Sequence, residues 1–250
     1  MTSKQLKYYS SFLLKKNRNE EHKFLVEGIK LILEALNFNY DCEIILTTNT
    51  FFKESQEDFT GFQKKKIPYE ILKPLEFNKL VDTKSPQGVV AVFKMKNVYN
   101  SLFEEPMILA LENISDPGNM GTILRNCDWF GIKNILLSPG CAEIYNPKVI
   151  RASAGSVFHL NIVEEKNFYE MLSTKKEDGY KILCADLEGE NIYNFKNYDK
   201  TVIALANEAN GPTKELINIC DFKVTIPKKG NAESLNVASA SAVLLSELTK

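Results

Sequence analysis

The sequence predicts an α/β protein in which a mainly parallel sheet, covered by helices on both faces, follows a second, smaller α/β domain. Three observations carry this. The chain has 250 residues, 44% of them apolar, enough to build one large or two smaller cores. Beyond Pro106, short aliphatic runs alternate with helical patterns, the signature of βα units whose strands lie parallel. Between these parts a polar stretch from Lys96 to Pro106, ending Glu104, Glu105, Pro106, reads as a boundary. The domains are thus expected over residues 1–95 and 106–250.

The first domain opens with a weakly helical stretch, Gln5 to Leu14, and a basic one, Lys15, Lys16, Asn17 and Arg18. Phe24 and Leu25 end a short strand, and Ile29, Leu31, Ile32, Leu33 and Leu36 give a mostly apolar helix. Glu43 to Thr48 reads as a strand, 51–60 as a polar helix, Ile67 to Leu72 as strand-like, and Gly88 to Met95 as a β-branched strand. In the second domain, strands are expected at Met107–Asn113, Asn134–Pro139, His159–Val163, Lys181–Leu187, Thr201–Glu208 and Phe222–Pro227. Helices are expected at Gly118–Gly131, Pro147–Val157, Asn167–Gly179, Thr213–Cys220 and Ser234–Leu248.

Charge and motif content narrow the function. Lys and Arg total 31 against 32 Asp and Glu, so no whole-protein positive field draws the chain to a phosphate polymer, and nucleic acid would need a local patch. The five cysteines are scattered and never spaced CxxC, which points to small buried hydrophobes rather than disulfides or a zinc site. No stretch approaches the roughly 18 apolar residues of a membrane span, and the amino terminus carries no cleavage signal, so a cytoplasmic location is expected. There is no G-x-G-x-x-G fingerprint, which disfavours a dehydrogenase, and no phosphate loop or G-x-S-x-G elbow. His22 and His159 lack HExxH spacing, so no metal is expected.

In an open parallel sheet, ligands collect beyond the carboxyl ends of the strands. Three loops there are rich in glycine and small polar residues: Glu112–Asn126, Leu205–Leu216 and Ile226–Ala240. In the first, Asn119 precedes Arg125 by six residues, a spacing at which the two meet only if Asn119 belongs to the loop before the helix. In the second, Glu208 ends an apolar strand as either a helix-cap partner or a ligand contact. In the third, Ser234 is either an N-cap or a site residue, and the series from Ala238 to Ala242 makes a close-packing helix suited to backbone threading or a subunit interface.

Taken together, the segments NISDPGNMGTILRNCDWFG, ANEANGPTKEL and IPKKGNAESLNVASASAVLL resemble, in order, the three motifs of the SpoU (TrmH-like) family of RNA ribose 2'-O-methyltransferases. RASAGSVFHLNI, Arg151 to Ile162, is similar to the family's intervening segment. The resemblance implies a SPOUT-type trefoil knot, S-adenosylmethionine as cofactor and a homodimer. It places Leu205, Ala206, Glu208, Gly211, Ile226, Ser234, Leu235 and Asn236 around the cofactor. Asn119 and Arg125 would face the ribose, with Glu208, Ser234 and Asn236 completing the catalytic polar set. One departure stands out: where many members carry G-N-E-G-x-G, this chain has alanine at Ala206 and Ala209, which puts the pocket's loop geometry in question. The amino-terminal part resembles an L30e/L7Ae-like domain, implying that it holds the RNA substrate.

The implied reaction, attack of a ribose 2'-oxygen on a sulfonium methyl, rests on positioning and electrostatics and requires no metal. Arg125 is the implied activating residue, yet a guanidinium with a pKa above about 12 is a poor base, so stabilising an alkoxide or holding a phosphate suits it better. For structured ribosomal or transfer RNA, the candidate phosphate contacts are Lys15, Lys16, Arg18 and Arg151, with Lys64–Lys66, Lys148, Lys228 and Lys229 beside them. Residues 1–90 hold 14 basic and 12 acidic side chains, a net charge that suits recognition of RNA by shape. A knotted enzyme acting on an RNA base nitrogen, or a non-catalytic RNA-binding protein, are the alternatives.

Overall fold

A computed structural model describes residues 1–96, 105–196, 198–207 and 210–250. In chain order the first half runs α1 (Ser3–Ser10), a 3₁₀ turn, α2 (Lys15–Glu21), β1 (Lys23–Glu27), α3 (Ile29–Asn37), β2 (Cys42–Thr48), α4 (Asn49–Glu54) and α5 (Gln56–Lys64). β3 (Tyr69–Leu72), α6 (Pro74–Phe77) and β4 (Val89–Lys94) follow. The second half runs β5 (Met107–Glu112), α7 (Pro117–Trp129), β6 (Asn134–Leu137), α8 (Pro147–Ala152), β7 (Asn161–Glu164) and α9 (Phe168–Glu177). It ends with β8 (Lys181–Asn191), β9 (Thr201–Ala206), α10 (Lys214–Ile219), β10 (Phe222–Thr225) and α11 (Val237–Leu248).

The chain divides into two units, 1–97 with 143–158, and 98–142 with 159–250. Most of the expected linker, 97–104, lies outside the described residues. In the first unit the strand order is β1-β4-β2-β3, with β4 antiparallel to both neighbours and β2 parallel to β3. Phe12, Leu25, Leu46, Phe77, Val90 and Val92 sit in its core. Asn49–Lys64 forms two helices rather than one, and α6 was not expected. Its three-residue N-terminal signal, Lys73 and Glu76 around Pro74, is too short to stand out in a periodicity reading.

Residues 143–158 depart from the expected contiguous second domain. Their aromatic side chains explain why: Tyr145 stacks on Phe24 with ring centroids 4.3 Å apart, and Phe158 meets Tyr40 edge-on at 5.0 Å. The helix expected over Pro147–Val157 stops at Ala152, because Ala154 and Gly155 take left-handed φ values of 52° and 95°.

In the second unit β5 and β9 are almost wholly buried, as strands covered on both faces must be. The order is β10-β8-β9-β5-β6-β7 with every neighbouring pair parallel. All the carboxyl ends therefore point one way, and the loops after β5, β8, β9 and β10 gather at one edge. The terminal helix α11 folds back onto α7, where Asn126 Nδ2 donates to Ala238 O at 2.9 Å and Ser241 Oγ at 2.8 Å. The small residues of α11 thus let a polar bridge form between two closely packed helices. Cys127, Cys141 and Cys184 are buried, and Cys42 and Cys220 are partly so. Burial pushes the Cys42 thiol up to about 12. No helix of the described residues is long and apolar enough to cross a membrane.

Candidate active site

Strand β8, the ends of β9 and β10 and the loops after those two strands surround a cavity of about 340 Å³. Leu187 comes from β8, Leu205 and Ala206 from the end of β9, Gly211 and Pro212 from the loop after it, and Ile226, Ser234 and Leu235 from the loop after β10. Its walls are mostly aliphatic side chains and backbone, with Asp186, Lys228 and Glu233 as the charged contributions. Such a lining suits a ligand with an apolar body and a few polar edges.

Six of the residues expected around a cofactor, Leu205, Ala206, Gly211, Ile226, Ser234 and Leu235, line this one cavity. Glu208 and Ala209 lie outside the described residues. Ala206 ends β9 without left-handed backbone, so alanine is tolerated there. Gly211 has φ +64° and donates its N–H to Asn207 O at 2.9 Å, closing a turn that a side chain would strain. Asn236 is not part of the lining. It, rather than Ser234, caps α11, its Oδ1 accepting from Ala238 N at 3.1 Å and Ser239 N at 3.3 Å.

The same Asn236 reaches the first motif, its Nδ2 donating to Asn119 Oδ1 at 3.0 Å. Asn119 in turn sits in the first turn of α7, where its N–H donates to the capping carboxylate of Asp116 at 2.8 Å. Motifs one and three therefore meet through an amide pair. Arg125 does not join it: Asn119 and Arg125 both lie within α7, so they sit about 120° apart around the helix and about 9 Å apart along it. Arg125 is exposed, and it forms no ion pair among the described residues.

Sequence reasoning missed the groups that hold the second loop. Glu112, at the buried end of β5, takes three donors: Thr213 N at 3.0 Å, Thr213 Oγ1 at 2.6 Å and Tyr169 Oη at 2.7 Å. Burial, and then the bond to Glu112, raise the Tyr169 pKa, so the phenol stays a donor. At the loop's other end Asn207 Nδ2 donates to Asn113 O at 3.1 Å, and Asn113 N donates to Ser138 Oγ at 2.9 Å. A carboxylate at the end of an otherwise apolar strand was the only available signal.

Among the candidate phosphate contacts, Lys15 and Lys16 are exposed on α2. Arg18 must be withdrawn. It is buried, its Nε donates to Glu143 Oε1 at 2.9 Å, and its Nη1 donates to Phe12 O at 2.8 Å and Leu13 O at 2.9 Å. A guanidinium with its donors used inside the fold has none left for RNA. Arg151 is half-buried and paired with Asp82 at 2.8 Å, with Glu27 at 3.9 Å.

Residues 106–246 match the model of the SpoU rRNA methylase family, and residues 3–91 match an MRM3-like substrate binding domain. The 23S rRNA (guanosine(2553)-2'-O)-methyltransferase RlmP of Bacillus subtilis is 29% identical over 98% of this chain and 96% of its own length. The structure of a TrmH-family protein from Porphyromonas gingivalis superposes with a TM-score of 0.84 at 30% identity, covering 99% of this chain and 98% of that one. The SpoU methyltransferase AviRb of Streptomyces viridochromogenes, solved with AdoMet, shares the fold at a TM-score of 0.87 and 22% identity, over 100% of this chain and 97% of that one. The parallel sheet is the knotted SPOUT architecture, with a smaller α/β domain before it. With its three motif loops gathered at one edge of that sheet, the chain belongs to the SpoU rRNA methylase family.

Proposed function

We propose that this chain transfers a methyl group from S-adenosylmethionine to a ribose 2'-hydroxyl of ribosomal or transfer RNA. The observation that carries the reading is the convergence of the second and third motif loops on one cavity, with the first motif bonded to the third through Asn119 and Asn236. The lining fits the cofactor: aliphatic walls from Leu205, Ile226 and Leu235 suit an adenine ring, and loop backbone with Ser234 supplies polar edges. When bound, S-adenosylmethionine supplies an electrophilic methyl carbon. Glu208 completes the proposed cofactor set, while Asn236, outside the lining, serves the reaction from the start of α11.

The chain's own contribution is orientation and charge. The amide pair of Asn119 and Asn236 fixes the start of α7 against the start of α11, which orients the ribose. Arg125 keeps its five donors free of protein carboxylates among the described residues, so its fork is available to steady a developing 2'-alkoxide or a neighbouring phosphate. A guanidinium is a poor proton acceptor, so Arg125 acts electrostatically rather than as a base.

The amino-terminal unit, read as an L30e/L7Ae-like fold over residues 1–95, holds the structured RNA, with Lys15, Lys16 and Arg151 as phosphate contacts. The active form is a cytoplasmic homodimer; the sole tryptophan, Trp129, lies 83% exposed at the end of α7 and supports a second copy there. Methyl transfer from labelled S-adenosylmethionine to RNA lacking native modifications, read by nucleoside mass spectrometry, tests the assignment. A 2'-O-methylnucleoside is expected. Methylation of a base nitrogen would replace the reaction, and cofactor binding with no product on either RNA class would reject it.

A further inference from the structure

We infer that Glu112 is a positioning residue that sets cofactor affinity by holding the β9–α10 loop in its binding shape, an inference that rests on the cavity being the S-adenosylmethionine site. Glu112 is 1% exposed, and its hydrogen-bond partners are all uncharged donors: one backbone N–H and two hydroxyls. A buried carboxylate without a cation is tolerated only where donors converge on it, and here they converge from two other elements. Tyr169 arrives from α9, while Thr213, which caps α10 through its own Oγ1, closes the loop.

The placement explains the consequence for the cavity. Through its backbone Glu112 lies opposite Ala206, the last residue before the loop. Through its side chain it grips Thr213, the last residue of the loop. Ala206, Asn207, Gly211 and Pro212, all between or at these anchors, line the cavity. With Asn207 tied to the neighbouring Asn113 carbonyl, both ends of the loop are fixed to two consecutive residues of β5 and its exit. Glu112 touches no part of the cavity itself, so it acts through the loop.

The isosteric Glu112→Gln keeps the volume and replaces one acceptor oxygen with an NH₂ that faces donors. In the full-length protein, cofactor binding by calorimetry should weaken about tenfold or more. KM for S-adenosylmethionine should rise with it, while kcat at saturating cofactor and affinity for RNA stay within about threefold. Amide hydrogen exchange over 210–216, measured without cofactor, should quicken in Glu112→Gln and more modestly in Tyr169→Phe, which removes one donor of three. A folded Glu112→Gln protein that binds the cofactor with the wild-type Kd overturns this inference alone. So does a variant whose RNA affinity and melting temperature fall in step with cofactor affinity, since that marks general destabilisation. A wild-type protein that fails to bind S-adenosylmethionine overturns both this inference and the reading beneath it.

Discussion

The cavity loops and the amino-terminal basic stretch carry their polar residues in opposite ways. Around the cavity, polar groups bond to one another at the strand ends and helix starts: Asn236 to Asn119, Asn207 to Asn113, Glu112 to Thr213. Their chemistry is directed at one another and leaves the cavity wall mostly aliphatic and backbone. In the basic stretch, Lys15 and Lys16 are exposed while Arg18, three residues from Lys15, is buried against Glu143. One run of like charge thus divides into solvent-facing and structural members, and sign alone does not separate them. The lesson is that a charged residue is assigned by where its donors end, not by its neighbours in sequence.

The sharpest test of that division is Arg18→Ala. It strands the Glu143 carboxylate, 9% exposed, and leaves the Phe12 and Leu13 carbonyls short of a donor. Breaking a buried pair on one side costs about 3–5 kcal/mol, so thermal or urea unfolding of the variant should show a loss of that size. Replacing Glu143 by Gln in the same chain should restore part of it. An Arg18→Ala protein of wild-type stability and weaker RNA binding would return Arg18 to the phosphate contacts.

Arg125→Ala breaks the comparison from the cavity side. Arg125 is exposed and lines no part of the cavity, so cofactor binding should be unchanged. Methyl transfer should fall by about 10²–10³, the range for removing one donor aimed at developing charge. Equal loss of cofactor affinity would place Arg125 in the pocket instead.

Gly211→Ala has a smaller expected effect. Among the described residues nothing lies within 4 Å of a Cβ built at Gly211, so the cost there is the left-handed φ of +64°. About 1–2 kcal/mol of strain would shift the loop and weaken cofactor binding several-fold, with global stability nearly kept. Calorimetry beside a melting curve separates the two effects.

What could be read from the sequence follows the range of the interactions. The second unit's strands were legible because β5, β6 and β9 are buried runs with no polar interruption, and its helix starts because Asp116 and Asn146 precede Pro117 and Pro147. Leu205, Gly211, Ile226 and Ser234 were legible as one site through the resemblance of the second and third motifs, which the strand-end rule alone narrows only to whole loops. The pairing of Arg18 with Glu143, 125 positions away, and the return of 143–158 to the first unit leave no local trace. Nor does the role of Glu112, whose partners Tyr169 and Thr213 are 57 and 101 positions along the chain. The meeting of Asn119 with Arg125 was conditional on Asn119 lying before the helix, and α7 begins at Pro117, one turn too early.

The smallest effect tests the exposed half of the basic stretch. Lys16 makes one long pair with Glu20 at 3.8 Å, both side chains well exposed, and such a pair contributes little. Lys15→Ala and Lys16→Ala should therefore leave stability within about 0.5 kcal/mol of wild type. If each lysine meets a phosphate, each substitution should lower the slope of log affinity against log salt by about one on RNA. The weakening should be similar across RNA sequences, since a phosphate contact carries no base information. An unchanged slope in the double variant would leave the amino-terminal unit to grip RNA by shape, with Lys15 and Lys16 as ordinary solvated charge.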